Sequence, residues 1–318
     1  MLPRTRDPRS TLASRAIIGT VSESTGAHGW QRVARLDPDR MADALHEHTG
    51  TRLTVEGRCP GGQVGTAYVR WPDGHRSVLK WRPGSRLSDL RAGPLAAAEA
   101  LRAAGYPAPA TELAAQIGPD VVLVQELLTG TPPGRLGHAA LDRALELNAA
   151  QAGRLAGHPG IPATELHLRG DGPGYCLHGP LRASGRRGAA LDAWITEVGA
   201  HAPDRLEGDD AVHHDFHPGN LLAGPGGEIT GVVDWDGAGR GDRRFDLVTL
   251  RFGLHPDHAG PGVAERLDAV LDTLPDEVLR PAWASMSLRM TDWAIRHFSP
   301  ADADLWLDFA ERRARPLS

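Results

Sequence analysis

Lysine is almost missing from this chain. Of its 35 lysine and arginine residues, 34 are arginine and one is Lys80. Cysteine is nearly as scarce, with only Cys59 and Cys176, far apart and in no C-x-x-C pair. A disulfide framework or a zinc knuckle is therefore not expected, and a reducing cytoplasm fits. Long apolar runs are absent as well. The longest fall well short of the ~20 residues a membrane helix needs, so no membrane partner is expected. Nor is there a strong charge of one sign, since the formal net charge is -5. Residues 1–127 carry 16 basic against 13 acidic side chains, and residues 128–318 carry 19 against 27. That is not the profile of a nucleic-acid binder. It reads either as uneven surface decoration or as two halves facing ligands of opposite sign.

What is present suffices for a folded enzyme-sized chain. It has 318 residues, 41% hydrophobic, with glycine and proline abundant but scattered. The length suggests two domains or lobes. Arg4, Arg6, Arg9 and Arg15 lead into Ala16-Ile17-Ile18, too short an apolar patch for a signal-peptide core. Met1 to about Trp30 reads as a mobile tail, with an over-extended start or a transit peptide as other readings.

The pattern of elements changes part-way along. Asp37-Pro38 opens a short helix that Gly50 closes. Leu53–Glu56, Thr66–Trp71 and Arg76–Trp81 read as three strands of an antiparallel meander. A glycine turn (Cys59 to Gly65) joins the first two, and Pro72-Asp73-Gly74 joins the next. Lys80 lies on the third strand. Pro94–Ala104 reads as a helix whose one carboxylate is Glu99, and Asp120–Leu127 as a buried strand. After Thr129–Pro133 the chain turns mainly helical, over 139–155, 189–200, 263–274, 282–298 and 301–313. In the fourth of these, Trp283, Met286, Met290 and Trp293 share a face and read as core.

The chemistry concentrates in H-H-D-F-H-P-G-N-L-L, His213 to Leu222, and in I-T-G-V-V-D-W-D, Ile229 to Asp236. His213, His214, His217 and Asp215 could form the ligand cluster of a metal-dependent hydrolase. Proline and glycine place them in a tight loop instead, where a helical ligand spacing cannot form. The better reading is His213-x-Asp215-x4-Asn220, with Asp234 after an apolar strand, the spacing of a kinase. Phosphoryl transfer needs a carboxylate at the acceptor hydroxyl, oxygen ligands for Mg²⁺ and a cation on the nucleotide phosphates. Asp215 can be the first, Asn220 and Asp234 the second, and Lys80 the third. A compact point charge on a flexible stem suits that last role, which gives a chemical reason for keeping lysine where arginine is used everywhere else. Codon bias remains the bland alternative.

At these residues the sequence resembles the aminoglycoside phosphotransferase family, within the protein-kinase-like superfamily. V-H-H-D-F-H-P-G-N-L-L, V-V-D-W-D followed by G-D-x-x-x-D-L, and V-L-K-W carry the resemblance, from about residue 50 to the end. It implies an α+β, two-lobed protein-kinase-like fold, with a small antiparallel-sheet N-lobe and a mainly helical C-lobe. Residues 1–50 would be an N-terminal extension, 51–127 the nucleotide-binding lobe and 128–318 the catalytic and substrate-binding lobe. The cofactors implied are ATP and Mg²⁺. Asp215 would be the catalytic base or orienter, and Asn220 and Asp234 the magnesium ligands. Lys80 would hold the phosphates with Glu99 as its partner, and the glycine turn with Gly61, Gly62 and Gly65 would face the nucleotide. Gln125, Glu126 and Leu127 would be the hinge that meets adenine. Asp246 would brace the catalytic loop, His213 would pack and hydrogen-bond there, and His217 would help to fix it.

Three departures stand out. His214 occupies the family's usual glycine position, the glycine turn lacks a regular G-x-G-x-x-G, and Glu99 is displaced toward Pro107. The expected reaction is transfer of the ATP γ-phosphate to a hydroxyl of a small molecule, such as an aminoglycoside or another amine-bearing antibiotic. A metabolic kinase for a choline-, sugar- or homoserine-like alcohol is the alternative, and a nucleotide-binding pseudokinase a further one. The acidic C-terminal half favours a cationic acceptor, through Glu207, Asp209, Asp210, Asp302, Asp304, Asp308 and Glu311.

Overall fold

A computed structural model describes residues 35–60, 65–255 and 258–314. The expected N-terminal tail, and Gly61 and Gly62, lie outside the described residues. The chain divides into two compact units.

The first unit comprises residues 35–87 and 110–128. Asp37 caps its opening helix α1 (Pro38–Thr49) by accepting from the Arg40 N–H, and Gly50 ends it with φ 76°. The sheet contains β1 (Thr54–Arg58), β2 (Thr66–Arg70), β3 (Arg76–Arg82), β4 (Thr111–Ile117) and β5 (Asp120–Glu126). All neighbours pair antiparallel in the order β1-β2-β3-β5-β4. β4, T-E-L-A-A-Q-I, is invisible to sequence periodicity because alanine and glutamate are poor strand formers. Its pairing with β5, across a turn in which Gly118 takes φ 60°, makes it a strand. Leu36, Leu45, Leu53, Val69, Leu79, Val122 and Val124 form the core of this unit, with α1 against β1 and β4. Alternation along β3 buries Ser77 and Leu79, and Lys80 is buried as well, at 9% exposure.

The second unit comprises residues 88–109 and 129–314. α2 (Leu87–Ala92) leads into it, followed by α3 (Pro94–Ala103). Ala97, Ala98 and Leu101 of α3 enter a core shared with Trp235, and the helix packs on the short turn Trp235–Gly237. The sequence pattern grouped this helix with the preceding strands, yet its apolar face is buried among residues of the helical unit. The remaining helices are α4 (His138–Ala150), α5 (His178–Ala183), α6 (Arg186–His201), α7 (Phe245–Gly253), α8 (Val263–Leu271), α9 (Asp276–His297) and α10 (Pro300–Glu311). α9 starts earlier than its pattern suggested, because Pro281 is tolerated inside it. α10 starts with a full capping box, Ser299 with Asp302. Two small antiparallel ladders, β6 (Asp210–Val212) with β9 (Gly239–Gly241) and β7 (Leu221–Ala223) with β8 (Ile229–Val232), frame the motif loops. Among the described residues no helix is long and apolar enough to cross a membrane.

Candidate active site

β6 delivers the chain into the loop His213–His217, and a short helical turn, Pro218–Asn220, hands it on to β7. One buried acid organises the entry. Asp246, at the start of α7, accepts from the N–H of His213 (2.7 Å), the N–H of His214 (2.9 Å) and Nε2 of Gln151 (2.9 Å). Burial raises its carboxyl to about 7, against the pull of those three donors.

His213 is fully buried and joins two segments. Its Nδ1 accepts from the Asp215 N–H (3.2 Å), and its Nε2 donates to the Val233 carbonyl (2.9 Å). Both ring nitrogens are therefore committed, and the ring rests 4.4 Å from that of Trp235. His217 is fixed in the same manner. Its Nδ1 accepts from the Gly219 N–H (3.0 Å), so Nε2 carries the proton and faces Asp215 Oδ2 at 3.6 Å. Among the described residues no group of three His, Cys, Asp or Glu side chains could hold a metal. The hydrolase reading of this histidine cluster fails on that geometry, because the histidines hold the loop in shape.

Asn220 is turned so that Nδ2 donates to the Asp215 carbonyl (2.9 Å) and to Asp215 Oδ2 (3.2 Å). The amide is thus oriented with its Oδ1 as the remaining acceptor. The Asn220 carbonyl accepts from the Val233 N–H (2.9 Å), which seats Asp234 on the adjoining strand exit. Asp234 has φ 66° and ψ 53°, a left-handed backbone that few non-glycine residues adopt. A partly exposed carboxylate and an amide oxygen, held on neighbouring segments, suit a hard cation that keeps its other ligands from water and phosphate.

Asp215 itself is 34% exposed at the side chain. Oδ1 accepts from Arg289 Nη2 (3.0 Å), and Arg289 Nη1 also donates to the His214 carbonyl (2.6 Å). Burial pushes the Asp215 carboxyl upward, but Arg289 and His217 outweigh it and hold the group well below the usual carboxylate range. Arg289, near the middle of α9, is the residue at this candidate site that sequence reasoning misses. One arginine among 34 carries no signal of its own.

His214 has φ 68°. A left-handed backbone there explains why the resembling motif carries glycine. Here the strain of a side chain is held by three contacts: the Asp246 carboxylate on its N–H, Arg289 on its carbonyl, and a stacked ring, Phe245, at 5.4 Å. Burial, reinforced by Arg289, lowers its imidazole to about 3.

The other expected residues are placed as follows. Lys80 lies on β3 of the first unit, in register with Thr66 of β2 and Leu123 of β5. Gln125 is buried at the end of β5. Glu126 is tied to Ala110 in both directions, by its own N–H and by its carboxylate on the Ala110 N–H. Leu127 follows directly, half-buried. Gly65 takes φ 79° at the entry to β2. Glu99 is exposed on α3, in the second unit. The acids that suggested a cationic acceptor are largely occupied elsewhere. Asp304, Asp308 and Glu311 converge on Arg187, Asp302 caps α10, Asp209 pairs with Arg240, and Asp210 accepts from the Gly153 N–H.

Residues 58–288 match the phosphotransferase enzyme family, and the chain belongs to that family. No match is found among the curated proteins. Among solved structures, the chain is similar to a choline kinase, LicA, from Streptococcus pneumoniae, at 13% identity and TM-score 0.57, over 87% of this chain and 98% of that one. It is likewise similar to a thermostable mutant of aminoglycoside phosphotransferase APH(4)-Ia in ternary complex with ADP and hygromycin B. There the identity is 16% and the TM-score 0.55, over 87% of this chain and 99% of that one. At such identities the likeness is one of fold, and the fold is protein-kinase-like: a five-stranded antiparallel sheet in one unit and a mainly helical second unit.

Proposed function

We propose that this chain is an ATP- and Mg²⁺-dependent small-molecule kinase that moves the γ-phosphoryl group to an acceptor hydroxyl. One observation carries the reading: Asn220 donates through Nδ2 to the Asp215 carboxylate while its main-chain carbonyl accepts from the Val233 N–H, next to Asp234. The proposed base and metal ligands thus lie on two segments hydrogen-bonded to each other. Asp215 receives the hydroxyl hydrogen bond and aims the oxygen at the γ-phosphorus. The acceptor oxygen forms the new P–O bond as the bond from the γ-phosphorus to the β–γ bridging oxygen breaks, and ADP leaves with that electron pair. The hydroxyl proton passes to Asp215 and then to water. A carboxylate held this far below its usual range is a weak base. It suits a loose transition state, in which the proton moves late and positioning contributes most.

Asn220 and Asp234 would hold Mg²⁺, which neutralises charge on the nucleotide phosphates. Lys80 would neutralise the α and β phosphates, and Gln125, Glu126 and Leu127 would meet the adenine. The pseudokinase alternative loses ground because Lys80, Asp215, Asn220 and Asp234 are all in place. Incubation of the purified protein with ATP–Mg²⁺ and a panel of hydroxylated small molecules, read by intact-mass spectrometry, should show the gain of one phosphate on an acceptor. Nucleotide binding without transfer to any acceptor and without ATP turnover would favour the pseudokinase.

A further inference from the structure

The acceptor side of Asp215 is guarded by a cation, and that narrows the acceptor class. Arg289 spends two of its five N–H groups on Asp215 Oδ1 and on the His214 carbonyl. Its side chain stays 22% exposed. Any substituent close to a hydroxyl bound at Asp215 therefore comes within reach of the guanidinium fork. Asp215 is its carboxylate partner and would at the same time hold the hydroxyl, and the next acid along the helix is engaged elsewhere. Asp292, one turn along α9, takes Nε and Nη2 of Arg296 and the Leu177 N–H. An ammonium group on the Arg289 side of the hydroxyl would face a like charge that the shared Asp215 carboxylate offsets only in part. A carboxylate there would meet a planar, always-charged fork shaped for two-point binding.

A second feature adjoins the first. Arg289, Trp293 and His297 follow one another at i, i+4 and i+8 on α9 and so share one face. Tyr175 meets Trp293 edge-on at 6.4 Å and His297 at 5.0 Å. Trp283 and Met286 of the same helix are core, as their spacing suggested, whereas Met290 and Trp293 are only partly buried. One turn beyond the guanidinium, then, the helix offers a partly exposed aromatic surface.

We infer that the acceptor is a hydroxy acid, with a carboxylate near the hydroxyl to engage Arg289 and an apolar or ring-bearing body to lie against Trp293. The inference rests on the phosphotransferase reading above and sharpens it. The phosphoryl group goes to the hydroxyl oxygen and ADP departs as described, while the acceptor carboxylate is unchanged by the reaction.

The test pairs hydroxy acids carrying aromatic or aliphatic bodies with their primary amides, and adds amino alcohols, all with ATP–Mg²⁺. Losing a hydrogen bond to a charged partner should cost the amides about 10- to 100-fold in kcat/KM relative to the acids. Arg289→Gln also loosens Asp215 and should lower kcat for every acceptor. It should still move the acid-to-amide ratio toward one, because only the acids lose a charged partner, whereas a general distortion of the loop would lower both and leave the ratio standing. Arg289→Lys, with charge but no fork, should fall between. If Arg289→Gln does not fold, the acid-to-amide ratio of the unaltered enzyme decides alone. Amides or amino alcohols accepted as well as the acids would overturn the inference and leave the kinase reading standing. Transfer to none of the acids, with ATP binding retained, would overturn it too. Failure of the unaltered protein to bind ATP–Mg²⁺ in a thermal-shift assay would remove the kinase reading, and the inference with it.

Discussion

Two acidic regions of the second unit look alike in a charge count and behave oppositely in the fold. On α10, Asp304, Asp308 and Glu311 crowd around one arginine, Arg187, at side-chain exposures of 41–63%. At the candidate site, Asp246 on α7 is fully buried and Asp215 in the loop before Asn220 is half-buried, and each is held by specific donors. The surface acids are screened by water and by their own partner, so they project little field. Asp246 fixes the shape of the loop, and Asp215 is the acid proposed to do chemistry. Net charge over residues 128–318 adds the two sets together and therefore misstates what an acceptor meets. On the proposed function, an acceptor held at Asp215 would also meet the Arg289 guanidinium.

The largest break is at Asp215. Asp215→Asn removes the acceptor-side carboxylate, and turnover should fall by about 10²- to 10⁴-fold with ATP affinity nearly intact. Asp234→Asn should instead weaken Mg²⁺–ATP binding, as measured by nucleotide titration at fixed free Mg²⁺. Equal loss of nucleotide affinity in both variants would contradict the division of roles. Next comes Asp246→Ala. It strands three buried donors, the N–H groups of His213 and His214 and the amide of Gln151, each costing ~1–3 kcal/mol when unpaired. A loss of about 3 kcal/mol or more in urea unfolding is expected, together with loss of activity.

The contrast also separates what was legible from what was not. Asp215 and Asn220 could be picked out as neighbours because they lie five positions apart in one tight loop. The meander could be read because its strands alternate. α7 could not: from Phe245 to Phe252 every residue is buried, so no polar face marks the helical period. β4 exists only through its partner β5. Arg289 comes from a helix more than 70 residues beyond Asp215, and nothing local in either segment announces the contact.

Acid titration should show the enclosed region working against itself. Asp246 has a folded pKa of about 7 against an ordinary 3.8, so between those values the native state holds a proton that the unfolded chain has released. This contribution falls as pH rises from about 4 to 7. His214 has a folded pKa of about 3 against an ordinary 6.5, so below 6.5 the unfolded chain binds the proton that the native state refuses. This contribution falls as pH drops. Across about pH 4 to 6.5 the two slopes oppose each other. His214→Asn keeps a residue type that tolerates the left-handed backbone and removes the imidazole. Its stability relative to the unaltered protein should rise on acidification through that window, by up to about 1.4 kcal/mol per pH unit and less to the extent that solvent reaches the ring. Parallel pH curves for the two proteins would show that His214 is not held neutral.

The smallest effect should come from the region with the most ion pairs. Arg187→Ala abolishes three pairs that tie α6 to α10, at 3.4 Å to Asp304, 2.5 Å to Asp308 and 2.8 Å to Glu311. All four side chains are well exposed, so the Coulomb gain is screened and partly cancelled by the entropy of ordering long side chains. A loss of about 1 kcal/mol or less is expected in urea unfolding, shrinking further at high salt. The same variant bears on the acceptor. It leaves three carboxylates uncompensated on α10, so if these acids gathered a cationic substrate, KM for an amine-bearing acceptor would drop at low salt and recover at high salt. If Arg289 and not the surface field selects the acceptor, KM for every acceptor should stay unchanged at both ionic strengths. A salt-sensitive fall in KM confined to amine-bearing acceptors would return the selection of substrate to the acidic surface.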